Sequence, residues 1–153
     1  MTRGARQVVA VLDSGVSATA LALAGAVLRG LNVLSGGAGD ADCTGHGTFV
    51  AGIIAARPMP GSCFAGLAPQ ARILPVIVVG SGPTDSVTAS ALATGIRYAV
   101  SNGATVIDVS TATTPDSPRS AAGSPGPPSG SRQGTRPETS TDYLPVMSWT
   151  TCR

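Results

Sequence analysis

Two side chains in this sequence have the type and setting for proton-transfer chemistry. Asp13 is the first residue beyond the apolar run Val8-Val9-Ala10-Val11-Leu12, and Ser14-Gly15-Val16 follows it. A β-branched and apolar run of this kind is the pattern of a strand covered on both faces. In parallel sheets the functional loops lie at the carboxyl ends of such strands. A carboxylate placed there accepts a hydrogen bond from an imidazole nitrogen, which fixes the ring's tautomer and stabilises the imidazolium formed during proton transfer. Turn formation is the plain structural role for the same residue. His46 is the single histidine of the chain and stands between Gly45 and Gly47, ahead of Thr48-Phe49-Val50-Ala51-Gly52-Ile53-Ile54-Ala55. The flanking glycines let the backbone pass close to other segments, and Thr48 is suited to cap the helix that starts there. A histidine at the head of a packed helix is positioned as a general base toward a hydroxyl nucleophile, whereas an isolated one is usually structural.

The elements that must position this pair follow from pattern. Gln7 to Leu12 reads as a strand, and Asp13-Ser14-Gly15-Val16 ends it with a glycine suited to a sharp turn. Ala18 to Leu31 is apolar enough for a helix, although Gly25 and Gly30 weaken it, and Asn32 to Leu34 forms a short strand candidate. The glycine-rich Ser35 to Asp42 reads as a loop. Val50, Ile53 and Ile54 give Thr48 to Ala56 helical spacing, stopped by Pro58 and Pro60. Ala71 to Val79 is a second buried strand. Thr84 or Asp85 would cap a helix over Val87 to Ser101, closed by Asn102-Gly103, and Ala104 to Val109 is a third buried strand. Strand and helix alternating in this order predict an α/β fold with a parallel sheet and right-handed crossovers.

Composition narrows the function classes. The 153 residues carry a net charge of +2 without a basic run, and aromatic residues make up 3%. Neither an electrostatic footprint for nucleic acid nor a stacking platform for single strands is present. Ala18 to Leu34 is interrupted by Gly25, Arg29 and Gly30 and is too short to span a bilayer. Met1 to Gln7 lacks the apolar core and cleavage site of an export signal. Cys43, Cys63 and Cys152 form no metal-ligand spacing, and no cofactor is called for. Cys43 and Cys63 pair as a disulfide on one reading and are two small buried residues on the other. Gly36-Gly37-x-Gly39 is out of register for a dinucleotide fingerprint, and no Walker lysine exists. Asp13 also lacks the second aspartate of an aspartyl phosphotransferase.

The two blocks together resemble a known family. Asp-Ser-Gly-Val after a strand, then Gly-His-Gly-Thr-x-Val-Ala-Gly-Ile-Ile at the head of a helix, is similar to the Asp and His blocks of the subtilisin-like serine proteases, and the chain order is theirs. Gly66-Leu67-Ala68-Pro69-Gln70-Ala71 resembles the segment leading into that family's next strand. Gly80-Ser81-Gly82-Pro83 and Val106-Ile107-Asp108-Val109-Ser110 resemble the two edges of its substrate cleft. The resemblance therefore implies that Asp13 orients and His46 acts as base, while Ser81, Gly82 and Ser110 contact an extended peptide added as a strand. Asp42-Cys43-x-Gly45-His46 and the loop Gly61 to Ala68 look like the mycosins, the subtilases tied to type VII secretion. Complete members of the family are mostly secreted or sit in the cell envelope, and calcium sites are common among them, but no ligand cluster here matches one.

The resemblance covers about Gln7 to Ser110, predicted as a partial peptidase domain. From Thr111 to Arg153 apolar periodicity disappears and Pro, Ser, Thr and Gly dominate, which predicts a disordered tail. The family's oxyanion-hole asparagine and its serine in a Gly-Thr-Ser-x-Ala-x-Pro block have no match, since Gly134-Thr135 is followed by Arg136. A frameshift in a GC-rich gene would produce such a break. The expectation is a serine endopeptidase lineage, truncated before its serine block and inactive alone. The alternative is a peptide-binding fragment without catalysis, or half of a split protease whose serine comes from a separate chain.

Overall fold

The structure, a computed structural model, describes residues 3–82, 85–111 and 113–114. A four-stranded parallel sheet forms its centre. Strand β1 (Val8–Asp13) lies between β3 (Arg72–Ile77) and β5 (Val106–Val109), and β2 (Leu31–Asn32) flanks β3, giving the order β2-β3-β1-β5. Val8 pairs with Arg72 and Asp13 with Ile77 on one side of β1, and Val9 pairs with Val106 on the other.

The two-residue period of a strand sorts β1 between two cores. Val9 and Val11 pack with Ala51 and Ala55 of helix α1 (His46–Ala55), whereas Ala10 and Leu12 pack in a second cluster with Ala99 of helix α2 (Ala89–Ser101). Leu74, Val76 and Val78 share that second cluster. Both faces of β1 are thus buried, the reason its sequence is continuously apolar rather than alternating. Gly95 lets α2 sit close on the sheet, because a Cβ there would crowd the side chains of Val78, Val76 and Leu12.

Several local expectations change. Ala18 to Leu31 is not a helix: it holds one 3-10 turn at Leu21–Leu23, an isolated bridge from Val27 to Ile73, and the start of β2. Gly25 and Gly30 adopt positive φ of 70° and 60°, and a Cβ on Gly30 would collide with the Pro75 carbonyl. The backbone there runs against the sheet where a helical cylinder has no room. The short strand expected at Asn32 to Leu34 falls at Leu31–Asn32. Helix α2 begins at Ala89, capped by the Thr88 hydroxyl accepting the Ala91 amide at 3.1 Å, rather than by Asp85; Thr84 lies outside the described residues. Val87–Thr88 form β4, paired in parallel with β6 (Thr113–Thr114), so strand pairing extends past Ser110. The rest of the tail expected to be disordered lies outside the described residues. Strand β5, expected to be buried, leaves Val106 and Val109 52% and 41% exposed because it is an edge of the sheet among the described residues. The Cys43–Cys63 bridge does not form, since Cys63 is a free thiol. The reading of both as buried residues fails as well, since each is exposed.

Candidate active site

Asp13 closes β1 at the carboxyl edge of the sheet and is 1% exposed. Its position continues the alternation of Val9 and Val11, which places it on the α1 face. His46 is the first residue of α1, and its Nδ1 lies 2.9 Å from Oδ1 and 2.8 Å from Oδ2 of Asp13. The Ser14 amide donates to Asp13 Oδ1 at 2.7 Å. A carboxylate only accepts, so Nδ1 is the protonated nitrogen of the neutral ring and Nε2 carries the lone pair. The His46 side chain is 55% exposed while its partner is buried. The pair therefore has one end anchored in the core and the other open to solvent.

Backbone proximity makes this contact possible. A Cβ on Gly47 would run into the Gly15 carbonyl oxygen and crowd Asp13 Cβ, and a Cβ on Gly15, at φ 111°, would meet the Ala41 carbonyl. Only glycine at both positions allows the head of α1 to lie on the turn after β1. The residue before the helix, Gly45, has φ 84° and offers no side chain to cap it.

That capping comes from Asp42 instead. Its Oδ2 accepts the Thr48 amide at 2.9 Å and the Thr48 hydroxyl at 2.6 Å, while Oδ1 accepts the Gly45 amide and the Ser14 hydroxyl, each at 2.9 Å. Thr48, expected to cap α1, is thus its third residue and a donor to the cap. Partial burial pushes the Asp42 carboxyl up, but the hydrogen bonds from Thr48, Gly45 and Ser14 outweigh it and hold the group below its ordinary 3.8. Neither Asp42 nor Ser14 stood out in the sequence as a functional position. The available signal was spacing: an acceptor four residues before the histidine, and a hydroxyl next to the aspartate.

The remaining expected site residues lie on the same edge in sequence terms, beyond the ends of β3 and β5. Ser81 and Gly82 are exposed, and the Gly82 amide donates to Asp85 Oδ2 at 2.8 Å. Ser110 is exposed directly after β5, and its hydroxyl donates to Asp108 Oδ2 at 2.8 Å. Among the described residues, no group of three His, Cys, Asp or Glu converges on a point. Within that same range no helix is long and apolar enough to cross a membrane.

Comparison with known proteins agrees with this geometry. The sequence profile of the subtilase family, peptidase S8, matches residues 4–148, running past Ser110, where the quoted motifs end. The chain is 42% identical over 107 residues to the cell wall-associated protease of Bacillus subtilis (strain 168), covering 67% of this chain and 11% of that protein. It is 40% identical over 119 residues to mycosin-4 of Mycobacterium tuberculosis (strain ATCC 25618 / H37Rv), covering 72% of this chain and 26% of the relative. The crystal structure of MycP1 with its N-terminal propeptide removed matches with a TM-score of 0.61 and 32% identity, over 70% of this chain and 32% of that one. The chain spans well under half the length of each of these relatives. The family match over most of its residues and the same parallel fold lead to one conclusion: the chain belongs to the subtilase family of serine proteases and is similar to the mycosins within it.

Proposed function

We propose that Asp13 and His46 are the acid–base part of a subtilisin-like serine endopeptidase site, and that the 153 residues do not turn over peptide by themselves. The observation that carries this is the clamp of a buried carboxylate on His46 Nδ1 at 2.8 and 2.9 Å, with the ring half-exposed on its other side. In that arrangement Nε2 takes the proton of a serine hydroxyl as it attacks the scissile carbonyl and returns it to the leaving amine. Asp13 holds the tautomer and stabilises the imidazolium between the two steps. An extended peptide fits as an added strand between the segments at Ser81–Gly82 and Ser110. The sequence contains no Gly-Thr-Ser-x-Ala-x-Pro block and no match to the oxyanion asparagine. Loss of the nucleophile in such a triad costs about 10⁶-fold in kcat. On this reading the serine block is supplied from outside these 153 residues, and a separate chain carrying it is one source.

The test mixes the purified chain with the serine-bearing C-terminal part of a mycosin and follows cleavage of a chromogenic peptide, alongside a fluorescence binding assay. The chain alone is expected to show no cleavage, and the mixture to cleave in a way that His46→Ala abolishes. Binding without cleavage in every mixture favours a non-catalytic peptide-binding fragment. Cleavage by the chain alone that survives His46→Ala would sink the proposal.

A further inference from the structure

Asp42 lies in the loop before α1, and no proton transfer assigned to Asp13 and His46 passes through it. Its hydrogen bonds nevertheless join the two segments that carry that pair. Oδ2 holds the amide and hydroxyl of Thr48 in the first turn of α1. Oδ1 holds the hydroxyl of Ser14, the neighbour of Asp13. The Ser14 oxygen in turn accepts the amide of Gly47, the neighbour of His46, at 3.2 Å. The Thr48 hydroxyl likewise accepts the Ser17 amide at 2.9 Å. Two routes therefore run from the turn after β1 to the first turn of α1, and both meet on one carboxylate.

The first amides of a helix have no partner within it and must find one elsewhere. Here two of them, from Gly47 and Thr48, are satisfied by Ser14 and Asp42, residues that belong to the site's other wall or are tied to it. Capping and registration of the site are one set of bonds. From this geometry we infer that Asp42, acting through Ser14 and Thr48, is the positioning residue for His46. It fixes the helix head on the β1 turn so that Nδ1 stays on the Asp13 carboxylate. The functional meaning of this role rests on His46 being the general base, but its test does not depend on catalysis.

Because His46 is the only histidine, isotope labelling of the full chain with ¹⁵N-histidine gives one pair of ring nitrogen signals. The ring tautomer and the exchange rate of the Nδ1 proton are measured in the native chain and in Ser14→Ala, Asp42→Asn and Thr44→Ala. Amide protection at Ala51 and Ala55 reports whether α1 remains folded. Thr44 also donates to Asp42, by its amide at 3.1 Å and its hydroxyl at 3.2 Å, but no bond leads from it to α1, so Thr44→Ala should match the native chain. Ser14→Ala and Asp42→Asn should speed Nδ1 proton exchange by about fivefold or more, the scale of losing one capping bond. They should also shift the ring toward a mixture of tautomers while α1 stays protected. Less than about a twofold change in both variants, with α1 protected, overturns the inference. A loss of α1 protection in step with the ring signal overturns it too, since Asp42 would then be a helix cap and nothing more. If Asp42→Asn does not fold, Ser14→Ala decides alone, because it leaves the Asp42–Thr48 bonds in place. Failure of peptide cleavage in the mixing experiment leaves these ring measurements unaffected, so the two ideas fail separately.

Discussion

At the scale of single residues, the site depends on unequal environments for two carboxylates a short distance apart in the fold. Asp13 is buried and devoted to His46, with one further bond from the Ser14 amide. Asp42 is partly exposed and surrounded by donors, and its carboxyl lies below its ordinary value. The folded chain therefore binds fewer protons at Asp42 near pH 4 than the unfolded chain does. Its contribution to stability is full above the ordinary value of 3.8 and is lost as pH falls through the lower folded value. Urea midpoints measured from pH 7 down to pH 3 should fall on acidification, and Asp42→Asn should flatten that decline; equal slopes in the two chains would contradict it. That Asp13 ends a strand and His46 starts a helix was legible in the sequence, because both elements are strongly patterned. Asp42 and Ser14 were not, because a polar residue in a turn or glycine-rich loop looks the same whether it faces water or caps a helix several residues away.

Between elements, the decisive feature is the close approach of the β1 turn and the head of α1, which two glycines permit. Gly47→Ala should lower stability by about 1–3 kcal/mol, the range for forcing extra atoms into a packed contact. The reason is that the new Cβ and the Gly15 carbonyl claim the same space. Thermal melts of the variant would show this as a reduced Tm, and an unchanged Tm would mean the helix head moves off the turn without cost. The sequence made β1 and β3 readable, since their apolar runs were long and matched their burial, whereas the helices were readable in outline only: the residues they bury are small ones, Ala51 and Ala55 on α1 and Ala91 and Ala99 on α2. Ala18 to Leu31 misled because its apolar content is real while its backbone path is dictated by something remote. Gly30 passes against Pro75, and Leu28 donates to the Ile73 carbonyl at 2.8 Å, contacts that no local propensity encodes. The start of α2 moved for a related reason: Val87 and Thr88 are drawn into pairing with Thr113 and Thr114, which leaves Thr88 as the cap.

For the molecule as a whole, surface and topology set the behaviour. Phe49 and Ile53 on α1 are 67% and 41% exposed, Leu67 beside them is 85% exposed, and Val106 stands on β5, an edge strand among the described residues. An edge with apolar side chains is a template for association. Light scattering against concentration should show self-association, and Val106→Lys should reduce it; no difference between the two chains would remove β5 from the contact. Burial of β5 was misjudged from its apolar run because burial depends on a neighbouring strand, which a run of residues cannot report. The strand order carries a consequence in time. Strand β1 is made first yet lies innermost, and its partners are Arg72 to Ile77 on one side and Val106 to Val109 on the other. Pairings so distant along the chain are slow to close. As the polypeptide leaves the ribosome, Asp13 and His46 emerge early, but the strand that carries Asp13 has no sheet to join until β3 has followed. Asp13 and His46 therefore wait, unassembled and exposed to chaperones and proteases, until at least Ile77 has been made.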